Sequence, residues 1–216
     1  MAVDSVGSLG TARQLSVQGL ECRRGERSLF GAVSFVVHRG EIVWLRGANG
    51  QGKTSLLRTL AGLSAPEAGT IEWSEPPASR RLLYIAHANA LKEDLSVTES
   101  LRFLLRLGGD APADSVITAS LERFGMASRR DAPVRTLSQG QRRRVALARL
   151  AAQREPSTWL LDEPFDALDA TGIETLNAII VEHARRGGSI VMTSHVPLTI
   201  AEPAPLVVML ESPVVA

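Results

Sequence analysis

Eight consecutive residues, Gly47-Ala48-Asn49-Gly50-Gln51-Gly52-Lys53-Thr54, carry the most explicit chemistry in this sequence. Their spacing is that of a phosphate-binding P-loop. Glycines let the backbone curl until successive N–H groups point inward, as phosphate oxygens require. A helix starting at Lys53 adds the positive end of its dipole. In this pattern Lys53 reaches the β- and γ-phosphates, and the Thr54 hydroxyl, with Ser55 behind it, sits where Mg²⁺ binds. ATP with Mg²⁺ is the ligand such a loop takes.

A second constellation is Trp159-Leu160-Leu161-Asp162-Glu163. An apolar strand that ends in two carboxylates delivers Asp162 to the metal side of the phosphate pocket, the Walker B role. Glu163 is then placed to orient or deprotonate an attacking water, work worth ~10²–10⁴-fold in rate. A third segment is Leu137-Ser138-Gln139-Gly140-Gln141, directly ahead of the helix-forming run 142–152. Ser138 and Gln141 have capping-box spacing, and a glycine-bearing helix N-terminus binds anions.

Positioning these groups takes alternating strands and helices. Ile42 to Leu45 is a wholly apolar run of strand length, as buried parallel strands are. A helix is expected from Lys53 to Ala61, ending at Gly62. Thr70 to Trp73, Leu82 to Ala86, Trp159 to Leu161 and Ile190 to Met192 read as further strands, with a helix over 173–184. Such alternation implies an α/β fold with a mostly parallel sheet core. Residues 15–35 read as short strands around Arg23-Arg24-Gly25, an N-terminal antiparallel portion. Between 95 and 152, Leu101, Leu104, Leu105 and Leu107, then Val116, Leu121 and Phe124, recur at helical spacing and predict an inserted helical subdomain.

At 216 residues, 44% hydrophobic and 22% charged, the chain has the composition of one globular domain. A net charge of +1 offers no global field to attract nucleic acid. Cys22 is the only cysteine, which excludes an internal disulfide and fits a reducing compartment. Residues 1–14 contain Asp4 and no apolar segment, so no signal peptide is expected there. No apolar run has the length of a membrane span. The run Arg142-Arg143-Arg144 is expected to be a solvated helix face.

The segment Leu137 to Gln141 resembles the LSGGQ signature of ATP-binding-cassette (ABC) proteins, with Gln139 in place of the first glycine. The resemblance runs over 15–210, a single ABC ATPase domain between tails at 1–14 and 211–216. It implies that Ser138 and Gly140 contact the γ-phosphate of ATP held in the P-loop of a second subunit, with Gln141 among the nucleotide-binding residues. One P-loop and one signature per chain then require a partner, expected to be a second copy. Ala167-Leu168-Asp169 is similar to the D-loop, which faces Asp169 across that dimer, and His195 is similar to the switch histidine that senses the γ-phosphate. Two positions depart from the family. His87 stands where the Q-loop glutamine is expected, a candidate for the Mg²⁺ side or for transmission to a membrane partner. Cys22, Arg23 and Arg24 occupy the place of the adenine-stacking aromatic, where an arginine plane is a candidate substitute.

Several phrases narrow the resemblance: Cys22-Arg23-Arg24, Arg27-Ser28-Leu29-Phe30, His87 with Leu91-Lys92, Glu99 to Phe103, and Gln141 to Leu150. They are similar to the ATP-binding subunits of haem exporters that act in cytochrome c maturation. This implies an ATPase on the cytoplasmic face of the inner membrane, with transmembrane permease subunits and haem-handling maturation proteins as partners. Another ABC exporter would use the same motifs. A soluble ABC ATPase outside transport would usually carry two cassettes or a long coiled-coil insertion, and this sequence has neither. Neither Cys22 nor the four histidines form a haem-binding pair.

Overall fold

The structure is a computed structural model that describes residues 12–25 and 27–211. Most of the two expected tails, and the side chains of Arg24 and Arg27, therefore lie outside the described residues. In chain order the elements are β1 (Arg13–Glu21), β2 (Arg23–Arg24), β3 (Arg27–Ser28), β4 (Val33–His38), β5 (Ile42–Arg46), α1 (Lys53–Leu60), β6 (Ala68–Trp73) and β7 (Leu82–Ile85). The helices α2 (Val97–Leu107), α3 (Asp114–Arg123) and α4 (Gln139–Ala152) follow. The chain then returns to alternation with β8 (Thr158–Leu161), α5 (Ala170–Arg185), β9 (Ser189–Thr193) and β10 (Leu206–Met209).

Five strands form a sheet in the order β10-β5-β9-β8-β7 with parallel pairing throughout. β1 pairs antiparallel with β4 and β6 in a separate three-stranded sheet. The two sheets and the helices fit the expected α/β P-loop architecture. β10 was not foreseen, because its Leu206-Val207-Val208-Met209 run follows a Pro-rich loop and keeps three side chains exposed.

Neighbouring residues on the central strands serve two different cores. Ile42, Trp159, Leu161, Ile190 and Met192 point to the side covered by α2, α4 and α5. Val43, Leu45, Leu160 and Val191 point to the opposite side, packed on α1 and the antiparallel sheet. Period-2 alternation of the side chains explains why the stretches 42–45, 159–161 and 190–192 are apolar at every position. Both faces are buried, so a one-residue slip would exchange the two cores without exposing either.

α2 begins with a full capping box, Ser96 with Glu99, and α4 with the one expected from Ser138 and Gln141. Among the described residues no helix is long and apolar enough to cross a membrane.

Candidate functional site

Ligands of open parallel sheets bind beyond the carboxyl ends of the strands. Here β5 runs into the glycine loop, β8 into Asp162 and Glu163, β9 into Ser194 and His195, and β7 into Ala86 and His87. Strand pairing β5-β9-β8-β7 brings these four ends side by side.

In the loop, Gly52 has φ 91° and caps α1. A Cβ there would lie 2.8 Å from Leu29 Cβ and 2.9 Å from Phe30 Cδ1, so only glycine fits this turn. Lys53 is 8% exposed, and its ammonium donates to the carbonyls of Gly47 at 2.8 Å and Ala48 at 3.1 Å. These bonds fold the side chain back over its own loop and hold the charge there. A cleft of about 310 Å³ opens beside it, lined by Gly47, Gln51, Lys53, Trp44, Ser194 and His195 among others.

Asp162 is buried and accepts from the Thr54 hydroxyl at 2.9 Å and the Thr193 hydroxyl at 3.0 Å. Thr54 and Asp162 thus present neighbouring oxygens at the edge of the glycine loop, the hard donor set that suits Mg²⁺. Glu163 follows with φ 46°, a left-handed backbone unusual for a residue with a side chain. Its N–H donates to Thr193 Oγ1 at 2.8 Å, and its Oε2 accepts the His195 N–H at 2.8 Å. Oε1 is buried without a hydrogen bond, while His195 Nε2 stands 3.3 Å away. One oxygen of Glu163 is therefore fixed by the backbone and the other keeps its acceptor capacity.

Three groups missed in the sequence complete this cluster. Thr193 ends the apolar strand β9 and ties both carboxylate residues together. Arg143 overturns the expectation of a solvated arginine face: it is 2% exposed. Successive helix residues point about 100° apart, so three adjacent arginines cannot share one face. The Arg143 guanidinium donates to the carbonyls of Ala86, Asp162, Glu163 and Pro164 and to Asn89 Oδ1, at 2.7 to 3.3 Å. Burial lowers its pKa, opposed by the charges of Asp166, Asp162 and Glu163. Arg142 ties to Glu93 at 2.9 Å, and Arg144 to both oxygens of Asp169.

The signature residues lie apart from this cluster. Ser138 caps α4 by accepting the Gln141 N–H at 3.3 Å, and Gln141 Oε1 accepts the Ser138 N–H at 3.0 Å. A Cβ on Gly140 would meet the Ala167 carbonyl at 2.7 Å, so glycine permits the close approach of this helix end to the D-loop. Asp169 caps α5 by accepting the Gly172 N–H at 2.9 Å, which with Arg144 lowers its pKa. The described hydrogen bonds of Ser138 and Gln141 stay within the start of α4, those of Asp169 go to Arg144 and the start of α5, and Gly140 abuts the D-loop. His87 is exposed, with Nδ1 3.4 Å from Asp166 Oδ2, and it makes no described contact with Thr54 or Asp162. Arg23 pairs with Glu67 at 3.2 Å on the surface, and the adenine-side expectation for Arg24 falls on a side chain outside the described residues.

Residues 30–166 match the ABC transporter family. The chain is 45% identical over 188 residues to the cytochrome c biogenesis ATP-binding export protein CcmA of Dechloromonas aromatica, covering 84% of this chain and 92% of the relative. It is 42% identical over 189 residues to the protein of the same name from Haemophilus influenzae, covering 84% and 89%. Among solved structures, an ATP-binding subunit of an ABC transporter superposes with a TM-score of 0.79 at 28% identity, over 92% of this chain and 86% of the other. A putative ABC transporter ATP-binding protein from Pyrococcus furiosus shares the fold, with a TM-score of 0.78 at 23% identity, over 91% and 97%. The chain belongs to the ABC transporter family, as a nucleotide-binding ATPase domain related to the cytochrome c biogenesis ATP-binding export proteins.

Proposed function

We propose that this chain is the ATP-hydrolysing subunit of an ABC exporter of cytochrome c biogenesis, one that moves haem or a haem carrier. The observation that carries the ATPase reading is the cluster in which Glu163, fixed by Thr193 and His195, stands beside the Thr54–Asp162 pair. The CcmA relatives carry the biogenesis reading.

In this reading the backbone of 47–52 and the Lys53 ammonium hold the β- and γ-phosphates of ATP. Thr54 and Asp162 hold Mg²⁺, which neutralises charge on the phosphates when bound. Glu163 Oε1 accepts a hydrogen bond from the attacking water and takes its proton, while the fixed Oε2 keeps the carboxylate in place. His195 lies at the γ-phosphate side of the same cleft and donates a ring N–H there. Ser138, Gly140 and Gln141 serve the ATP of a second copy, and Asp169 lines the same interface. ATP then joins two subunits and hydrolysis releases them. Transmembrane permease subunits receive the motion, with the chain held peripherally on the cytoplasmic face of the inner membrane. The segment around His87 is the proposed point of transmission, and its metal-side role is the weaker fit given its contact with Asp166.

A tagged chain recovered from detergent-solubilised membranes tests this, with mass spectrometry of its partners and an absorbance scan for haem. Multi-span cytochrome-maturation proteins with a haem band support the proposal. Unrelated permeases would leave the ATPase reading standing and overturn the haem reading, and recovery with ribosomal or DNA-binding proteins would overturn both transport readings.

A further inference from the structure

Arg143 occupies an unusual position: a buried cation whose hydrogen bonds all go to uncharged acceptors. Its Nη2 donates to the carbonyls of Asp162 at 3.1 Å and Glu163 at 2.7 Å, and its Nε to that of Pro164 at 3.3 Å. Three successive carbonyls converge on one guanidinium because Glu163 adopts a left-handed backbone, which turns the chain around the arginine. On its other side Nη1 donates to the Ala86 carbonyl at 3.0 Å and Asn89 Oδ1 at 3.1 Å. Arg143 itself is the fifth residue of α4, one turn beyond Ser138 and Gly140. A single planar fork thus spans the signature helix, the segment after β7 and the backbone of the catalytic carboxylate. Only arginine among the side chains has enough rigid donors to do this.

We propose that Arg143 is a positioning residue that fixes the backbone of Glu163 and couples it to the signature helix and to the 86–89 segment. This rests on the reading of Glu163 as the residue that activates water. When α4 or the 86–89 segment shifts, the guanidinium shifts with it and re-aims the carboxylate. Arg143 touches Asp162 only at its backbone carbonyl and leaves the carboxylate to Thr54 and Thr193, so nucleotide affinity should be independent of it. Turnover should not.

The test measures ATP turnover and ATP affinity for the chain assembled with its membrane subunits. Arg143→Gln is expected to lower kcat roughly ten- to a hundredfold, the scale of a small misplacement of a reacting group, with the ATP Kd nearly unchanged. R143K, a point charge with three donors, should recover part of the rate. Placed in the Glu163→Gln background, R143Q should add almost nothing, because both changes act through one group. Wild-type kcat in R143Q, or a fully additive loss in the double variant, overturns the proposal. If R143Q does not assemble, R143K and Asn89→Ala carry the same test: reduced kcat at unchanged Kd supports it, and wild-type kcat in both overturns it. Undiminished turnover in E163Q would instead remove the reading of Glu163. An inactive E163Q beside a fully active R143Q removes only the coupling.

Discussion

The Thr193 hydroxyl donates to Asp162 Oδ1 at 3.0 Å from the neighbouring strand, and the same oxygen accepts the Glu163 N–H at 2.8 Å. One buried hydroxyl therefore sets the spacing between Asp162 and Glu163, the residues proposed to serve metal and water. Replacing it with a methyl, Thr193→Val, leaves a buried N–H unpaired, at a cost of about 1–3 kcal/mol. T193V should lower the unfolding free energy by that amount and reduce kcat. Thr193→Ser should preserve both. Equal rates and stabilities for T193V and the parent chain, by denaturant titration and ATPase assay, would show that the hydroxyl positions nothing.

Gly52 fits its turn only without a side chain. Gly52→Ala must adopt φ 91° with a Cβ pressed on Leu29 and Phe30, strain of roughly 1–3 kcal/mol before the clash is counted. The expected result is ATP binding weakened at least about tenfold, the equivalent of ~1.4 kcal/mol, read by fluorescent-nucleotide titration. Unchanged affinity would mean the loop tolerates a different path.

Gly140 makes the parallel prediction at the other side of the proposed two-chain site. An added Cβ at 2.7 Å from the Ala167 carbonyl must push the D-loop and the signature helix apart. Gly140→Ala should leave ATP binding to the monomer intact and abolish ATP-driven association of two chains, followed by light scattering. Normal association in G140A would contradict the placement of this helix end at the shared interface.

His183 stacks on Trp159 with ring centroids 3.6 Å apart and donates its Nε2–H to the Ser157 carbonyl across 2.9 Å. Burial pushes its pKa down to about 4, against the carbonyl contact that favours the proton. The unfolded chain takes up that proton near pH 6.5. Stability is thus fully present above that pH and is lost as the pH falls towards 4, by about 3 kcal/mol for a shift of this size. His183→Phe keeps the stacked ring and removes the titration. Its stability should fall less than that of the parent between pH 6.5 and 4. Parallel curves from denaturant titrations across that range would assign the loss to other groups.

What could be read from the sequence was what is contiguous. The residues 47–54 carry their function in one loop, and the apolar runs of β5, β8 and β9 announced strands buried on both faces. Both capping residues of α4 were visible because the box spans only four positions. Thr193, Arg143 and Asn89 were invisible for the opposite reason. Their roles arise from the strand order β5-β9-β8-β7 and from the way α4 crosses it, over separations of 31 residues for Thr193 to Asp162 and 54 for Arg143 to Asn89. The arginine run misled because a charge triplet suggests a solvated face, whereas the helix turns its middle member into the sheet. His87 was placed by counting along a family phrase, and its contact with Asp166 depends on how two loops meet.

Glu163 is proposed to activate water for ATP held by 47–54 of one chain and 138–141 of another. The most direct measurement is ATP turnover and ATP-dependent association of Glu163→Gln beside the parent, both assembled with their membrane subunits. ATP affinity should be unchanged, turnover reduced about 10²–10⁴-fold, and a paired ATP-bound state should persist because it cannot be hydrolysed. Turnover at the parental rate in E163Q would remove Glu163 from the reaction.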